Sequence, residues 1–511
     1  MALPLEDCRH LALIHNLPLR AEREAYVAAG YMSAAELGAF EPDFVGSSSL
    51  EYNERLNTVE QQISQGTTLF QEKNKLYSAG IEGLLPTGGQ YNVGWSANDL
   101  KNNLLVLPTN PLVEQYQTFM GVTLTQPLLK DFGFGNTMAK LRLAKEDEAI
   151  ARQDLRKQMI EVVATVESAY WDLYVAQERL KLRQKSVDAA AKLLEENKER
   201  VNEGKMAEIE LVEAQAGLAQ RKSSRTEALQ RLVEVSGKLR TLFAEPVNDD
   251  RFILNASDTP PPPGALPPID EALRASTLLH PEYLARVHKV AQEKVRIAYA
   301  KNQRWPQVDL KASYGQNGLG DTYPLSWRNL DGHLYESWSV GIQLRVPLAG
   351  GIRERNMVHA AQAHGRQALL DLKAAEVEIA NNIYTAERKL QGLEDVAENY
   401  DAVADAGHRL LVSESGRLSE GKSDSRRVIE VENQYYDAEV AALESRGEYE
   451  KAKVEFEVAC GRLLATRGVD LAEHPPRKLW DTVKTDLEVV KKKLSITGPD
   501  KQEDPKANHA P

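Results

Sequence analysis

The hydrophobic positions along this chain follow two different periods, in an order that occurs twice. From about Asn136 to Val201 no proline intervenes, and Leu155, Met159, Val162, Val166, Ala169, Leu173, Ala176 and Leu180 step alternately by four and three residues. The seam continues every seventh residue through Val187, Leu194 and Val201. A seven-residue repeat stays on one side of a helix only if the helix supercoils left-handedly around neighbours. At ~1.5 Å per residue, a helix of this length is a rod of about 100 Å, several domain diameters long. A second rod is predicted from about Ile352 to Ser415, where Leu369, Leu372, Ile379, Ile383, Ala386, Leu390 and Leu393 keep the same alternation.

Ahead of each rod the period drops to two. Phe44, Ser48, Leu50 and Tyr52 share one face, with Val45, Ser47, Ser49 and Glu51 on the other. Tyr77, Ala79 and Ile81 alternate with Ser78, Gly80 and Glu82, and Tyr91, Val93 and Trp95 with Asn92, Gly94 and Ser96. Tyr116, Thr118, Met120, Val122 and Leu124 lead into Pro127; Val308, Leu310, Ala312 and Tyr314 form a further segment. Trp338, Val340, Ile342, Leu344 and Val346 complete the set, opposite Ser339, Gln343 and Arg345. These are strands with one apolar face, separated by glycine-rich turns.

Short helices precede the strands in each half: to His15 and from about Pro18 to Phe40, then from Asp270 to Leu279 and on to about Arg304. A return helix follows each rod, over about Ala207–Phe243 and to about Leu464. In each half the second helix and the return helix together match the rod in length, so the two can stack end to end beside it. The chain therefore divides into a first repeat (1–243), a linker that its prolines exclude from helix or sheet (244–268), a second repeat (269–466) and a charged tail, peripheral or disordered (467–511). Gly121–Leu128 (GVTLTQPL) and Gly341–Leu348 (GIQLRVPL) are the clearest internal match.

Two architectures fit these periods: a soluble β-domain fused to a coiled coil, or a membrane β-barrel, whose strands alternate over ~10 residues without forming hydrophobic blocks. In the second case the strands of one chain are too few to close a barrel, which needs about eight. Open edges cannot sit in lipid, so several chains would share one barrel.

Composition narrows the function. The 511 residues carry a formal charge of −12. No basic cluster interleaved with aromatics is present, so nucleic acid is not an expected partner. Cys8 and Cys460 are too few for a disulfide framework and read as small buried helix residues. No apolar run reaches the ~18 residues of a membrane helix. Met1–Asp7 lacks the basic start and apolar core of a secretory leader, which taken alone predicts the cytosol. The helical pattern nevertheless begins by Leu5, as if an upstream segment preceded it, so the missing leader weighs little.

Catalytic signatures are weak. Gly416–Ser423 fits the phosphate-loop pattern GxxxxGK[ST], but a heptad helix precedes it where a buried strand is required, so it reads as a helix-hairpin turn. There is no HExxH, CxxC or GxSxG, and His359 and His364, five apart, do not align on a helix face. The chain is not expected to be an enzyme or to carry a cofactor or metal.

From Leu5 to Leu464 the chain resembles the TolC-type outer-membrane efflux family. The resemblance rests on a doubled order of modest motifs: Leu5–Leu13, Gln126-Pro127-Leu128-Leu129 with Phe132-Gly133, Tyr170-Trp171-Asp172-Leu173, Val346-Pro347-Leu348 with Gly350-Gly351, and the closing Gly204 and Gly421. It implies an α+β fold of two tandem repeats with four barrel strands per chain. Three chains would share a twelve-stranded barrel in outer-membrane lipid and a periplasmic helical barrel. It further implies a homotrimer docking through a periplasmic adaptor onto an inner-membrane pump, a passive duct for efflux or type I secretion. A scaffold coiled coil without a pore is the alternative. Strand pattern between Thr67 and Asp99 is additional to that scheme.

The same resemblance places the closed entrance where the rods turn, with Arg200, Glu203, Gly204, Lys205, Gly421 and Lys422 as the docking tip. Acids on the second return helix ring the aperture in this family, and Glu432 matches the later one, while the earlier aligns with Ile429. A linking tyrosine is replaced by Leu418 and an arginine by Ser423. The latch is therefore expected to use Arg426 or Arg427 against Asp424, Glu430 or Glu432.

Overall fold

A computed structural model describes residues 2–103, 113–204, 206–244, 253–261, 267–348, 350–420 and 422–469. The first half comprises β1 (Ala2–Leu3), α1 (Leu5–His15), α2 (Leu17–Ala35) with a 3-10 turn to Phe40, β2 (Asp43–Leu56), α3 (Val59–Gln65), β3 (Leu69–Leu84), β4 (Gln90–Asn102) and β5 (Val113–Pro127). It ends with α4 (Phe134–Thr137), the rod α5 (Ala139–Asn202) and its return α6 (Glu208–Leu242). The second half comprises β6 (Asn255–Ala256), α7 (Ile269–Leu279), α8 (Pro281–Gln303), β7 (Gln307–Gly320), α9 (Tyr323–Asp331), β8 (Glu336–Arg345), the rod α10 (Ile352–Ser419), its return α11 (Ser425–Ala459) and α12 (Leu463–Thr466).

The rods hold 64 and 68 residues, so each is about 100 Å long at ~1.5 Å per residue. Their seams are buried as the heptads require: Leu155, Met159, Val162, Val166 and Leu173 on α5, Ile379, Ile383 and Leu390 on α10. The main core gathers midway along α5, where Val163, Val166, Tyr170 and Leu173 meet Cys8, Leu13 and Leu239. Tyr170 Oη donates to Leu3 O and accepts from the backbone N–H of Ser257 and Asp258. Beside it, the wholly buried Glu167 takes ion pairs from Arg9 at 3.1 Å and Arg467 at 2.8 Å. Arg467, expected in a peripheral tail, is thus fixed to the core because a buried carboxylate must be paired. The rest of that tail, 470–511, lies outside the described residues.

The linker also differs from expectation. Asn255–Ala256 pairs in parallel with Ala2–Leu3, and Leu254 and Ala256 are buried. The segment Ile253–Ala256 precedes the prolines and carries the apolar side chains that seat it, so it does form sheet.

The remaining strands make one antiparallel sheet in the order β2-β3-β4-β5-β7-β8. Among the described residues it contains six strands, all the alternating segments read from the sequence and two more than the resemblance implies. The internal match explains the difference. Gly121–Leu128 closes β5 and Gly341–Leu348 follows from β8, so β4–β5 corresponds to β7–β8. In the second half, α8 passes directly into β7; in the first, the β2–β3 hairpin intervenes between α2 and β4.

Both faces of the sheet keep the period-two pattern. Across the register Phe44, Ile81, Val93, Val122, Tyr314 and Trp338 lie on one side, and Ser47, Ser78, Ser96 and Phe119 on the other. Away from α9 the apolar face is open: Phe44, Val340, Ile342 and Leu344 are all exposed large hydrophobics. Among the described residues no helix is long and apolar enough to cross a membrane.

Candidate functional site: the rod tips

At the end of α5 the backbone turns through Gly204 at φ +71°, a left-handed conformation that glycine takes without steric cost. Glu203 caps the helix, its N–H donating to Glu199 O. In the second tip Lys422 N–H donates to Arg417 O at 2.8 Å. Asp424 then starts α11 as its N-cap, Oδ1 accepting from Arg427 N–H at 2.7 Å. Gly416 lies inside α10, which runs on to Ser419, so the phosphate-loop pattern is a helix end.

Hydrogen bonds join the two tips. Ser425 Oγ lies 3.2 Å from Asn197 Oδ1 with both residues fully buried, linking α11 to α5. Ser423 Oγ donates to Glu414 Oε2 at 2.9 Å, and Arg417 pairs with the other oxygen of the same carboxylate.

Of the expected latch residues, Arg427 pairs with Glu430 at 2.8 Å. That pair lies within one turn of α11 and ties no two helices together; exposed pairs of this kind contribute under about 1 kcal/mol. Arg426 is exposed, as are Glu203, Gly204 and Lys422, and Arg200 is half-buried. Lys422 pairs with Glu420 at 2.7 Å. Lys205 and Gly421 lie outside the described residues.

Glu432 departs from the expectation of an aperture acid. Its carboxylate is buried and turned back onto Arg221 of α6 at 2.7 Å, with both side chains under a tenth exposed. Arg221 also donates to Asn433 Oδ1 from Nε and Nη2, and approaches Ser186 O of α5. One guanidinium thus bridges α5, α6 and α11. The cause is heptad position: Glu432 stands seven residues after buried Ser425, beside buried Val431, on the side that packs inward.

Arg221 was not among the residues singled out from sequence, yet a signal exists. Ala214, Arg221, Ala228 and Val235 recur every seventh residue and are all buried, so an arginine occupies a seam position. A charged group there must find a partner on a facing helix, and it fixes the pairing of helices as buried polar residues do in coiled coils.

At the opposite end of the molecule the sheet ends in a helical flap. α9 folds over the apolar face, Ser326 Oγ lying 2.8 Å from Thr118 Oγ1 and Trp327 packing edge-on against Trp95 with centroids 5.7 Å apart.

A family model described as "Outer membrane efflux protein" matches residues 87–245 and 277–462. Among curated proteins, the outer membrane efflux protein BepC of Brucella suis is 24% identical over 71% of this chain and 77% of its own length. The outer membrane protein TolC of Vibrio cholerae is 24% identical over 63% of this chain and 71% of its own. Among solved structures, the Campylobacter jejuni CmeC outer membrane channel superposes with a TM-score of 0.64 at 16% identity, covering 92% of this chain and 90% of that one. The two matched segments fall on the two repeats, each carrying strands, a rod and its return helix, and the chain belongs to the outer membrane efflux protein family.

Proposed function

We propose that this chain is one protomer of a trimeric outer-membrane channel whose rods form a periplasmic tunnel. In this reading the tunnel docks by its tips, through an adaptor, onto an inner-membrane pump, and the channel is a passive duct. It has no catalytic role and needs no cofactor.

One observation carries the reading: a sheet with an exposed apolar face has two unpaired edges, β2 and β8, exposed along their whole length. In lipid each unpaired backbone group costs several kcal/mol, so only closure is tolerable. Neighbouring copies of the same sheet supply that closure. The long polar rods fit a duct across an aqueous compartment, where a scaffold would have no use for a lipid-facing sheet.

Efflux of small molecules and type I secretion use the same duct, with cargo chosen by the pump. Mass measurement in detergent, combined with conductance in planar bilayers, tests the proposal. A conducting trimer is expected. A stable monomer with full β-content and no conductance would leave the scaffold reading standing.

A further inference from the structure

We propose that the β2–β3 hairpin is an additional pair of wall strands, so that three chains close an eighteen-stranded barrel. The seam between chains is β2 of each protomer pairing antiparallel with β8 of the next. This inference rests on the trimeric, shared-barrel reading above.

The hairpin has the construction of wall. β2 pairs with β3 over its full 14 residues, and β3 continues in register onto β4. Its alternation extends that of the other strands: Phe44, Tyr77 and Ile81 fall on the apolar face, Ser47, Ser78 and Glu82 on the polar face. A plug or an extracellular hairpin would have no reason to keep a lipid-type face in phase with its neighbours. The polar face also carries a row of directly paired glycines, Gly80, Gly94, Gly121 and Gly315, on four adjacent strands. A Cβ at Gly94 would lie 2.9 Å from Ala79 O, and the Phe119 ring lies over Gly121 and Gly315. Side chains converge on the concave side of a curved sheet, so a row without Cβ atoms leaves room there for a sheet to curve and for a ring such as Phe119 to lie across it. Gly80 belongs to the added hairpin, so the glycine row runs from the hairpin into the rest of the sheet without a break.

The hairpin is also anchored at the rod end. The turn after β3 meets the start of the first rod, where Gly133 N–H donates to Thr87 O at 2.9 Å. A Cβ at Gly88 in that turn would lie 2.3 Å from Asp131 O, which makes glycine necessary there. The matched family segment begins at residue 87 and so excludes β2 and β3. Strand parity completes the argument. β2 leaves the rod end and β8 returns to it, so β8 of one copy meets β2 of the next in antiparallel sense and the meander continues unbroken.

Barrel diameter grows roughly linearly with strand number, so this barrel is about half as wide again as a twelve-stranded one, about 36 Å across the backbone against about 24 Å at ~4.8 Å spacing and ~40° tilt. Selection by size then falls to the rod tips, and the outer section passes bulkier cargo than a twelve-stranded wall would admit.

Cysteine cross-linking on the full chain tests this. Ser49→Cys on the polar face of β2 is combined in turn with Ser337→Cys, Ser339→Cys, Gly341→Cys and Gln343→Cys on the polar face of β8, and oxidised in the membrane. The native cysteines remain, since both are buried. Ser313→Cys with Ser339→Cys, whose hydroxyls lie 2.8 Å apart within one chain, shows that the oxidant reaches the lumen. At least one β2–β8 combination should give reducible dimers and trimers on gels. A trimeric mass with the control formed and none of the four seam pairs cross-linked would overturn the eighteen-stranded wall alone. A monomeric mass would remove the shared barrel itself.

Discussion

Asn16 Nδ2 donates to the carbonyl of Leu242 at 3.1 Å, joining residues 226 apart in sequence. The same side chain caps α2, Oδ1 accepting from Leu19 N–H at 3.1 Å. One asparagine therefore satisfies the last turn of α6 and the first turn of α2, and the two helices meet end to end beside α5. The second half makes the equivalent junction differently. Gly461 closes α11 at φ +69° with His280, the residue before α8, against its Cα.

Alanine at position 16 loses the cap and leaves a carbonyl without its partner, a cost of about 1–2 kcal/mol. Gly461→Ala should cost more, because its Cβ would lie 2.7 Å from His280 Cα in a left-handed backbone. Thermal unfolding followed by helical circular dichroism should rank parent, Asn16→Ala and Gly461→Ala in falling order. Equal midpoints for all three would refute the role of these junctions.

The Arg221–Glu432 pair should behave as a buried ion pair. Arg221→Met alone leaves an uncompensated carboxylate and should destabilise by about 3–5 kcal/mol, whereas Arg221→Met with Glu432→Leu should recover much of the loss. A double-mutant cycle on unfolding checks it. A double variant no better than the single one would show that the two charges are solvated separately.

On β8, Ile342 and Gln343 are neighbours on opposite faces. If Ile342 meets lipid, arginine there should cost about 2–4 kcal/mol near the membrane midplane, while Gln343→Arg should be tolerated. A folding assay into vesicles separates the two. Equal tolerance at both positions would mean that the apolar face does not meet lipid.

Glu450 supplies a pH dependence. Burial raises its carboxyl above the ordinary value of 4.5, with Glu167 adding to the rise while Lys453 and Arg467 oppose it, and Oε1 has no hydrogen-bond partner among the described residues. The folded state then holds this proton more tightly than the unfolded state. Its contribution is fully present below 4.5 and is lost as pH rises through the raised value. Glu450→Gln removes that loss, so the variant should be the more stable at neutral pH and show a flatter stability profile from acid to neutral. A profile parallel to the parent's would show that Glu450 stays solvated.

The sequence by itself determined every element that rests on local periodicity. A seven-residue seam such as Leu155–Val201 has one physical solution, a supercoiled rod, and alternation such as Trp338–Leu344 has one, a strand with a single apolar face. The doubled order, read with GVTLTQPL and GIQLRVPL, fixed the tandem repeat and with it the family. Tertiary structure alone decided matters that depend on which surfaces meet. Whether β2–β3 joins the same sheet as the other strands rests on pairing between strands, which period two does not encode, and so six strands share one sheet where the resemblance implied four. Whether Glu432 faces an aperture rests on which helix covers it; Arg221 on a facing helix captures it, because a charge on a packed seam must be neutralised by whatever packs there. Charged residues in a helical rod look alike in sequence, and only the neighbouring helix distinguishes a solvated carboxylate from a bridge between three helices.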